Sequence, residues 1–402
     1  MKVGRHAHIG NPKACGVSNE RPSLGVYIEG TGVKRRLWTT CLMTIMASFA
    51  HAGELTMAGA HAAFVDPLDT SAVLLGGAQK LNGQPVLAAA SVGSRIVAVG
   101  LRGLVTYSDN RGVNWSQAAV PVQSDLVGIR FVNDRLGWAV GHDGVILRTD
   151  DAGAHWVRQF DFRMEHASFT DYYGRLIDGG ATRLKPYLDQ VKLNTANGSA
   201  LPWLATCFDD EQQGYVVGSF GMIARTTDGG KSWVPWLDHI DNDQFLNLNA
   251  IRRIAGQLYI VGEKGSVYRF DPAAQRFNAI STGYTGSFFD IAGTNEFLLA
   301  VGLRGSVFRS VDGGTHWTPI DVGTTSTFTG ATVLHDGRVI LAAEDGSLLE
   351  SADRGLTFRS LPNRDPAPQA GVALAPHGDV AVFGYAGIRV TPMDSIAQSN
   401  VR

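Results

Sequence analysis

SVDGGTHW at residues 310–317, TTDGGKSW at 226–233, TDDAGAHW at 149–156 and SADRGLTF at 351–358 are copies of one octapeptide, S/T-x-D-x-G-x-x-aromatic. The spacing predicts a tight turn closed from within. The carboxylate at the third position can accept backbone N–H groups across the turn, and glycine supplies a conformation that other residues avoid. The closing aromatic is placed to pack between neighbouring units. This is an Asp-box, and it makes Asp151, Asp228, Asp312 and Asp353, with Trp156, Trp233, Trp317 and Phe358, structural residues and not catalytic ones. A further copy at 108–115 carries Asn110 in place of the aspartate, and the stretch 270–277 has lost the pattern.

Outward from each turn the same surroundings recur. An apolar run such as VAVG, WAVG, YVVG, YIVG, LAVG or ILAA precedes it, followed by a short turn ending in glycine and then an alternating strand. The anchors Gly100, Gly141, Gly218, Gly262, Gly302, Ala343 and Gly384 lie about 40–44 residues apart, except for one interval that holds an insertion. That period belongs to a four-stranded propeller blade. The copies carry no helical pattern, which argues against a solenoid. The expected fold is all-β, a seven-bladed β-propeller of four-stranded antiparallel blades over residues 64–391. In the second blade Leu126 opens the inner strand, and alternation sends Ile146 to one face and Leu147 to the other. The seventh copy ends near Val390, ahead of a polar tail at 392–402. Residues 71–75 are the expected source of a closing strand, which would remove an open edge.

The ends and the composition narrow the class. The chain has 402 residues and a formal net charge of -2, which offers no basic face for nucleic acid. Lys34, Arg35 and Arg36 precede an apolar stretch at 37–49 and then Ala50-His51-Ala52. That order predicts a signal peptide at 33–52 cleaved after Ala52, its apolar run too short to span a bilayer. Residues 1–32 fit no export signal and read as an extension upstream of the true start. Removal of the leader leaves Cys207 as the single thiol, so packing and not a disulfide must hold the fold.

The A-V-G-x-x-G and S/T-x-D-G-G-x-x-W elements at this period resemble the photosystem II stability/assembly factor family and its bacterial relatives. The resemblance runs from about Asp66 to Val390, and FVDPLD (64–69), GYTGSFF (283–289) and GLRGSVFRS (302–310) carry it most closely. It implies a seven-bladed propeller that helps membrane complexes assemble without catalysis of its own. It further implies an envelope protein whose partner is a membrane or envelope complex, with exporters among the candidates.

Propeller geometry sorts the loops, placing the turn between second and third strands on the same face as the blade-to-blade links. Arg102, His142, Phe220, Lys264, Arg304 and Tyr385, together with Asp143, Glu263 and Asp345, should share that rim. Arginine suits such a surface because its planar fork pairs with carboxylates. A helical insertion at 160–201 projects from the same side. Its helices are expected at 164–177 and 182–193, with Tyr172, Tyr173 and Tyr187 offering an aromatic contact surface or the pair lying flat on the propeller. The loop carrying Tyr284 and Phe288 is expected to meet the insertion or a partner.

Signals for chemistry are weak. No early F/Y-R-x-P segment opens a sialidase site, and the scattered histidines show no pair at metal-ligand spacing. No glycine-rich phosphate loop opens a helix, so neither metal nor cofactor is expected. The sequence therefore points to an exported binder of the periplasm or cell envelope, monomeric on its own, with a sialidase-like hydrolase or glycan-binding protein as the alternative.

Overall fold

The computed structural model describes residues 65–77, 81, 83–196, 201–362 and 366–392. The expected leader and upstream extension, and all but the first residue of the polar tail, lie outside them. Seven antiparallel sheets follow one another along the chain, six of four strands and the last of three. Their first strands are β1 (Val86–Val92), β5 (Leu126–Phe131), β9 (Trp203–Phe208), β13 (Leu248–Ile254), β17 (Phe288–Gly293), β21 (Phe328–Val333) and β25 (Gln369–Leu374). Each first strand packs against the next, and β25 packs against β1. The fold is a β-propeller of the kind the repeat predicts.

Both faces of each sheet are covered, which explains the unbroken apolar runs. In the second sheet β6 (Gly137–Gly141) is buried at every position. Trp138, Val140 and Ile146 enter the core shared with the third sheet, whereas Ala139 and Leu147 enter the core shared with the first. Ile146 and Leu147 thus take opposite faces, as alternation requires. Trp138 stacks on Phe208 across the sheet boundary, with ring centroids 3.4 Å apart.

The Asp-boxes join third and fourth strands and follow one scheme. Gly314 N donates to Ser310 Oγ at 2.9 Å, the Ser310 hydroxyl donates to Asp312 Oδ1 at 2.8 Å, and His316 N donates to the same oxygen at 2.9 Å. Thr149-Asp151, Thr226-Asp228 and Ser351-Asp353 repeat these contacts within 0.2 Å. The Thr357 hydroxyl and backbone N–H hold the Asp353 carboxyl down at about 2. Asn110 preserves the scheme without a charge, its Oδ1 accepting from Ser108 Oγ at 3.0 Å and Asn114 N at 2.9 Å. The closing aromatics pack at the boundary with the preceding sheet: Trp156 joins the core of sheets one and two, and Trp233 that of sheets two and three.

The seam between the last and first sheets differs from expectation. Residues 71–75 form no strand in the seventh sheet, which ends at β27 (Gly387–Thr391). They run beside the outer part of the first sheet instead, where Ala72 N donates to Val120 O at 2.9 Å and Leu75 N to Gln117 Oε1 at 2.9 Å. The physical reason is Leu68, buried with Ala72 in the core between sheets one and two, which draws the segment there. Side chains make the seam. Val86, Ile96, Ala98 and Trp115 share a core with Ala375, Ala381 and Phe383. Arg111 in the first Asp-box donates two hydrogen bonds of 2.8 Å to the buried Asp379 carboxylate.

Two outcomes follow from these bonds. Arg111→Ala strands a buried carboxylate and should cost about 2–4 kcal/mol in urea unfolding, and adding Asp379→Asn should recover part of the loss. Asp312→Asn should keep nearly full stability, as Asn110 shows is possible, while Asp312→Ala should lose about 1 kcal/mol.

Candidate functional site

The turns between second and third strands share a backbone form. At Arg102-Gly103, Asp143-Gly144, Phe220-Gly221, Lys264-Gly265 and Arg304-Gly305 both residues have positive φ, from 51° to 72°. This is the type I′ hairpin turn, whose twist matches the flanking strands. Glycine is obligatory in its second place, because a Cβ at Gly103 would lie 2.1 Å from Val122 O. The first place presents its side chain to solvent, and Arg102, Phe220, Lys264 and Arg304 are all exposed.

The blade-to-blade links hold these turns. Arg102 N donates to Asp125 Oδ1 at 2.7 Å, and Phe220 N donates to Asn247 Oδ1 at 2.6 Å. Asn247 also donates through its own backbone to Glu263 Oε2 at 2.9 Å, so one link ties two neighbouring turns. Turns and links therefore lie at the same end, with anchored backbones; Lys264 Nζ donates to Gln244 Oε1 there. Neither Arg102 nor Arg304 bonds to another described residue through its guanidinium.

His142 and Tyr385 are exposed as well, but each sits one place earlier in its turn than the arginines. At the arginine position of the second turn stands Asp143, which accepts from Ser124 Oγ at 2.6 Å. The other two rim candidates do not belong to the surface. Phe288 is fully buried, and Tyr284 is half-buried with its hydroxyl donating to Leu303 O at 3.0 Å. Their rings pack on each other and on Phe308. Phe288 opens its strand in the register of Leu126, Leu248 and Phe328, which are all buried. That repeat position was the available signal.

The insertion forms α1 (Phe162–Asp178) and α2 (Lys185–Asn194), and it lies flat on the propeller. Asp161 caps α1 by accepting from Arg163 N at 3.0 Å. Phe169, Tyr173, Leu184 and Val191 enter the core of the third sheet with Trp203, Met222 and Trp236. The three tyrosines are not an outward surface. Tyr173 is buried and donates to Asp238 Oδ1 at 3.0 Å, while Tyr172 and Tyr187 pack partly buried against the same core. The aromatic face turns inward because Trp203, Trp236 and Phe245 offer an apolar surface for it to cover, which removes both from water.

Along the inner strands runs a cavity of about 820 Å³, lined from all seven sheets. Arg130 of β5, Arg252 of β13 and Asp290 of β17 stand on its wall. Arg252 Nη2 reaches Asp290 Oδ1 at 2.9 Å. These residues were passed over in the sequence, although an arginine inside an otherwise apolar inner strand (GIRFV, AIRRI) is a legible anomaly. Among the described residues no cluster of His, Cys, Asp or Glu could hold a metal, and no helix is long and apolar enough to cross a membrane.

No family model matches the chain. It is 23% identical over 315 residues to the photosystem II assembly lipoprotein Ycf48 of Synechococcus sp. strain CC9902, covering 68% of this chain and 86% of that one. It is 28% identical over 178 residues to the photosystem II assembly protein Ycf48 of Synechococcus sp. strain JA-2-3B'a(2-13), covering 39% of this chain and 50% of that one. The chain is thus similar to photosystem II assembly proteins of the Ycf48 type. It spans most of the first relative but only about half the length of the second. Among solved structures, YCF48 bound to a D1 peptide superposes with a TM-score of 0.57 at 16% identity, covering 77% of this chain and 93% of that one. YCF48 from Cyanidioschyzon merolae gives 0.56 at 15% identity, covering 78% and 97%. The WD40 propeller domain of Doa1 also gives 0.56, so the propeller extends beyond the family and carries no role by itself.

One buried acid in the insertion has no hydrogen-bond partner among the described residues. Glu165 of α1 is 5% exposed, no described residue donates to its carboxyl, and burial pushes it up to about 8. The folded state thus favours the protonated acid. Its contribution is most favourable below the unfolded value of about 4.3 and is lost as pH rises towards about 8. Glu165→Gln should therefore raise Tm above pH 8 and leave it nearly unchanged at pH 4, measured by thermal unfolding across that range.

Proposed function

We propose that the chain is a closed seven-bladed β-propeller, exported to the periplasm or cell envelope, that acts as a non-catalytic assembly, stability or scaffold factor for a membrane or envelope protein complex. The observation that carries this is the kinship with Ycf48 assembly proteins along 86% of one relative's length. A YCF48 of the same fold has been solved with a D1 peptide bound, which supports a polypeptide partner for this chain too. Photosystem-like and exporter-associated complexes are the two partner classes in view.

Closure of the ring is supported by the shared core of β25 and β1 and by a cavity that all seven inner strands line. The rim of I′ turns is the proposed docking face. Its backbone is preorganised by the links, so a partner need order only side chains, which limits the entropic cost of binding. Arg102, Phe220, Lys264 and Arg304 give it three cations and one aromatic, and His142 and Tyr385 extend it. Such a surface suits an acidic segment with an apolar residue.

The absence of catalysis is supported by how the acids are used. The four Asp-box carboxylates are consumed within their own turns, and Glu350 is buried between Arg338 and Arg359. Asp290 is held by Arg252. A glycoside hydrolase needs two carboxyl groups facing one substrate bond.

Affinity capture from cross-linked cell envelopes tests the proposal. The wild-type chain should recover one membrane protein complex, and Arg102→Glu/Arg304→Glu should lose it while keeping the wild-type Tm. Equal recovery by both proteins would remove the rim as the docking face. No specific recovery by either would favour glycan binding or hydrolysis.

A further inference from the structure

The charged residues on the wall of the inner-strand cavity are not all paired. Asp290 accepts from Arg252 Nη2 at 2.9 Å, from Ile291 N at 2.9 Å and from Ala331 N at 3.2 Å. Its carboxylate is therefore neutralised and well bonded. Arg253 also lines the cavity but is paired with Asp209, and Glu344 lies exposed at a turn. Arg130 is left over. Half-buried on the wall, it makes no hydrogen bond or ion pair with any described residue.

Its surroundings make that isolation costly. The like charge of Arg252, followed by burial, lowers the Arg130 guanidinium to about 10, only partly offset by Asp290. It remains protonated near neutral pH, so the cavity wall carries a cation with no bonded counter-charge among the described residues. A charge partly withdrawn from bulk water and without a bonded counter-ion is destabilising, and an anion seated against it would relieve that. Much of the surrounding wall is small and apolar, with Gly128, Ala205, Ala250, Ala292 and Gly330 leaving room for a guest. The volume of about 820 Å³ is in the range of small-molecule sites. A guanidinium presents its N–H groups as a planar fork that matches the two oxygens of a carboxylate or phosphate.

We propose that Arg130, with Arg252 behind it, forms an oxyanion site on the wall of the inner-strand cavity, taking a carboxylate or a phosphate group. The guest accepts a forked pair of hydrogen bonds from Arg130 and lowers the repulsion between the two arginines. Arg252 remains tied to Asp290 and acts as a positioning residue. This site is separate from the rim of turns and does not depend on a polypeptide partner docking there.

Titration of the full chain with sodium phosphate and, separately, with glutarate, at constant ionic strength, tests it by calorimetry and by Tm. The wild type should bind at least one of the two anions saturably in the millimolar range or tighter, with a matching rise in Tm. Phosphate alone would indicate a free or esterified phosphate as guest, and glutarate alone a carboxylate. Arg130→Met should fold with an unchanged or higher Tm and bind at least about tenfold more weakly, whereas Arg130→Lys should retain part of the affinity through its charge. Equal anion binding by the wild type and Arg130→Met would overturn the proposal. So would the absence of saturable binding of either anion by the folded wild type. Should Arg130→Met fail to fold, Arg130→Gln supplies the same comparison.

Discussion

Burial of both faces of every sheet is the constraint on which the rest of this structure depends. A strand covered on one side only can alternate apolar with polar residues. A strand covered on both must be apolar throughout, as the fully buried GWAVG, GYVVG and LLAVG segments are. Neighbouring sheets thereby become each other's core, and no single blade owns a complete one. That leaves the turns, and the cavity lined by the inner strands, as the places where polar chemistry is displayed. The Asp-box end spends its polar groups on closing its own turns. The opposite end fixes its turn backbones to the links and leaves side chains such as Arg102 and Arg304 free.

Much of this was legible before the structure. A period set by Gly100, Gly141 and their equivalents declared the blades, and the octapeptide declared the turns. The insertion's lack of alternation declared helices, observed at Phe162–Asp178 and Lys185–Asn194. Such features are local, and local pattern survives in a one-dimensional reading. Burial that depends on a distant surface does not. Tyr173 looks like a contact residue until Trp203 and Trp236 are placed beneath it, and Phe288 looks like a loop aromatic until its register is known.

The same limit hid the arginines. Arg111 reads as an exposed turn residue, yet its partner Asp379 is 268 positions away. Arg130 drew no reading from the sequence, and the surface it faces is the inside of the propeller. Arginine has served here as a seam clasp, a rim display and an inward-facing cation. Sequence alone reports the residue type and not which of those three surroundings it will meet.

The seam carries a consequence for how the molecule is made. Ser91 Oγ donates to Leu374 O across 283 residues of sequence, and Arg111 meets Asp379 across nearly as many. Sheets two to six can form with neighbours already in place, since each contacts the one before it. The first sheet has one face without a partner until the last strands arrive. Closing so long a loop is entropically slow. The apolar side of β1 and of the strand Arg95–Gly100 is thus the surface exposed longest during folding, and the interval before the C-terminal sheet docks is when this chain is most open to association with others of its kind.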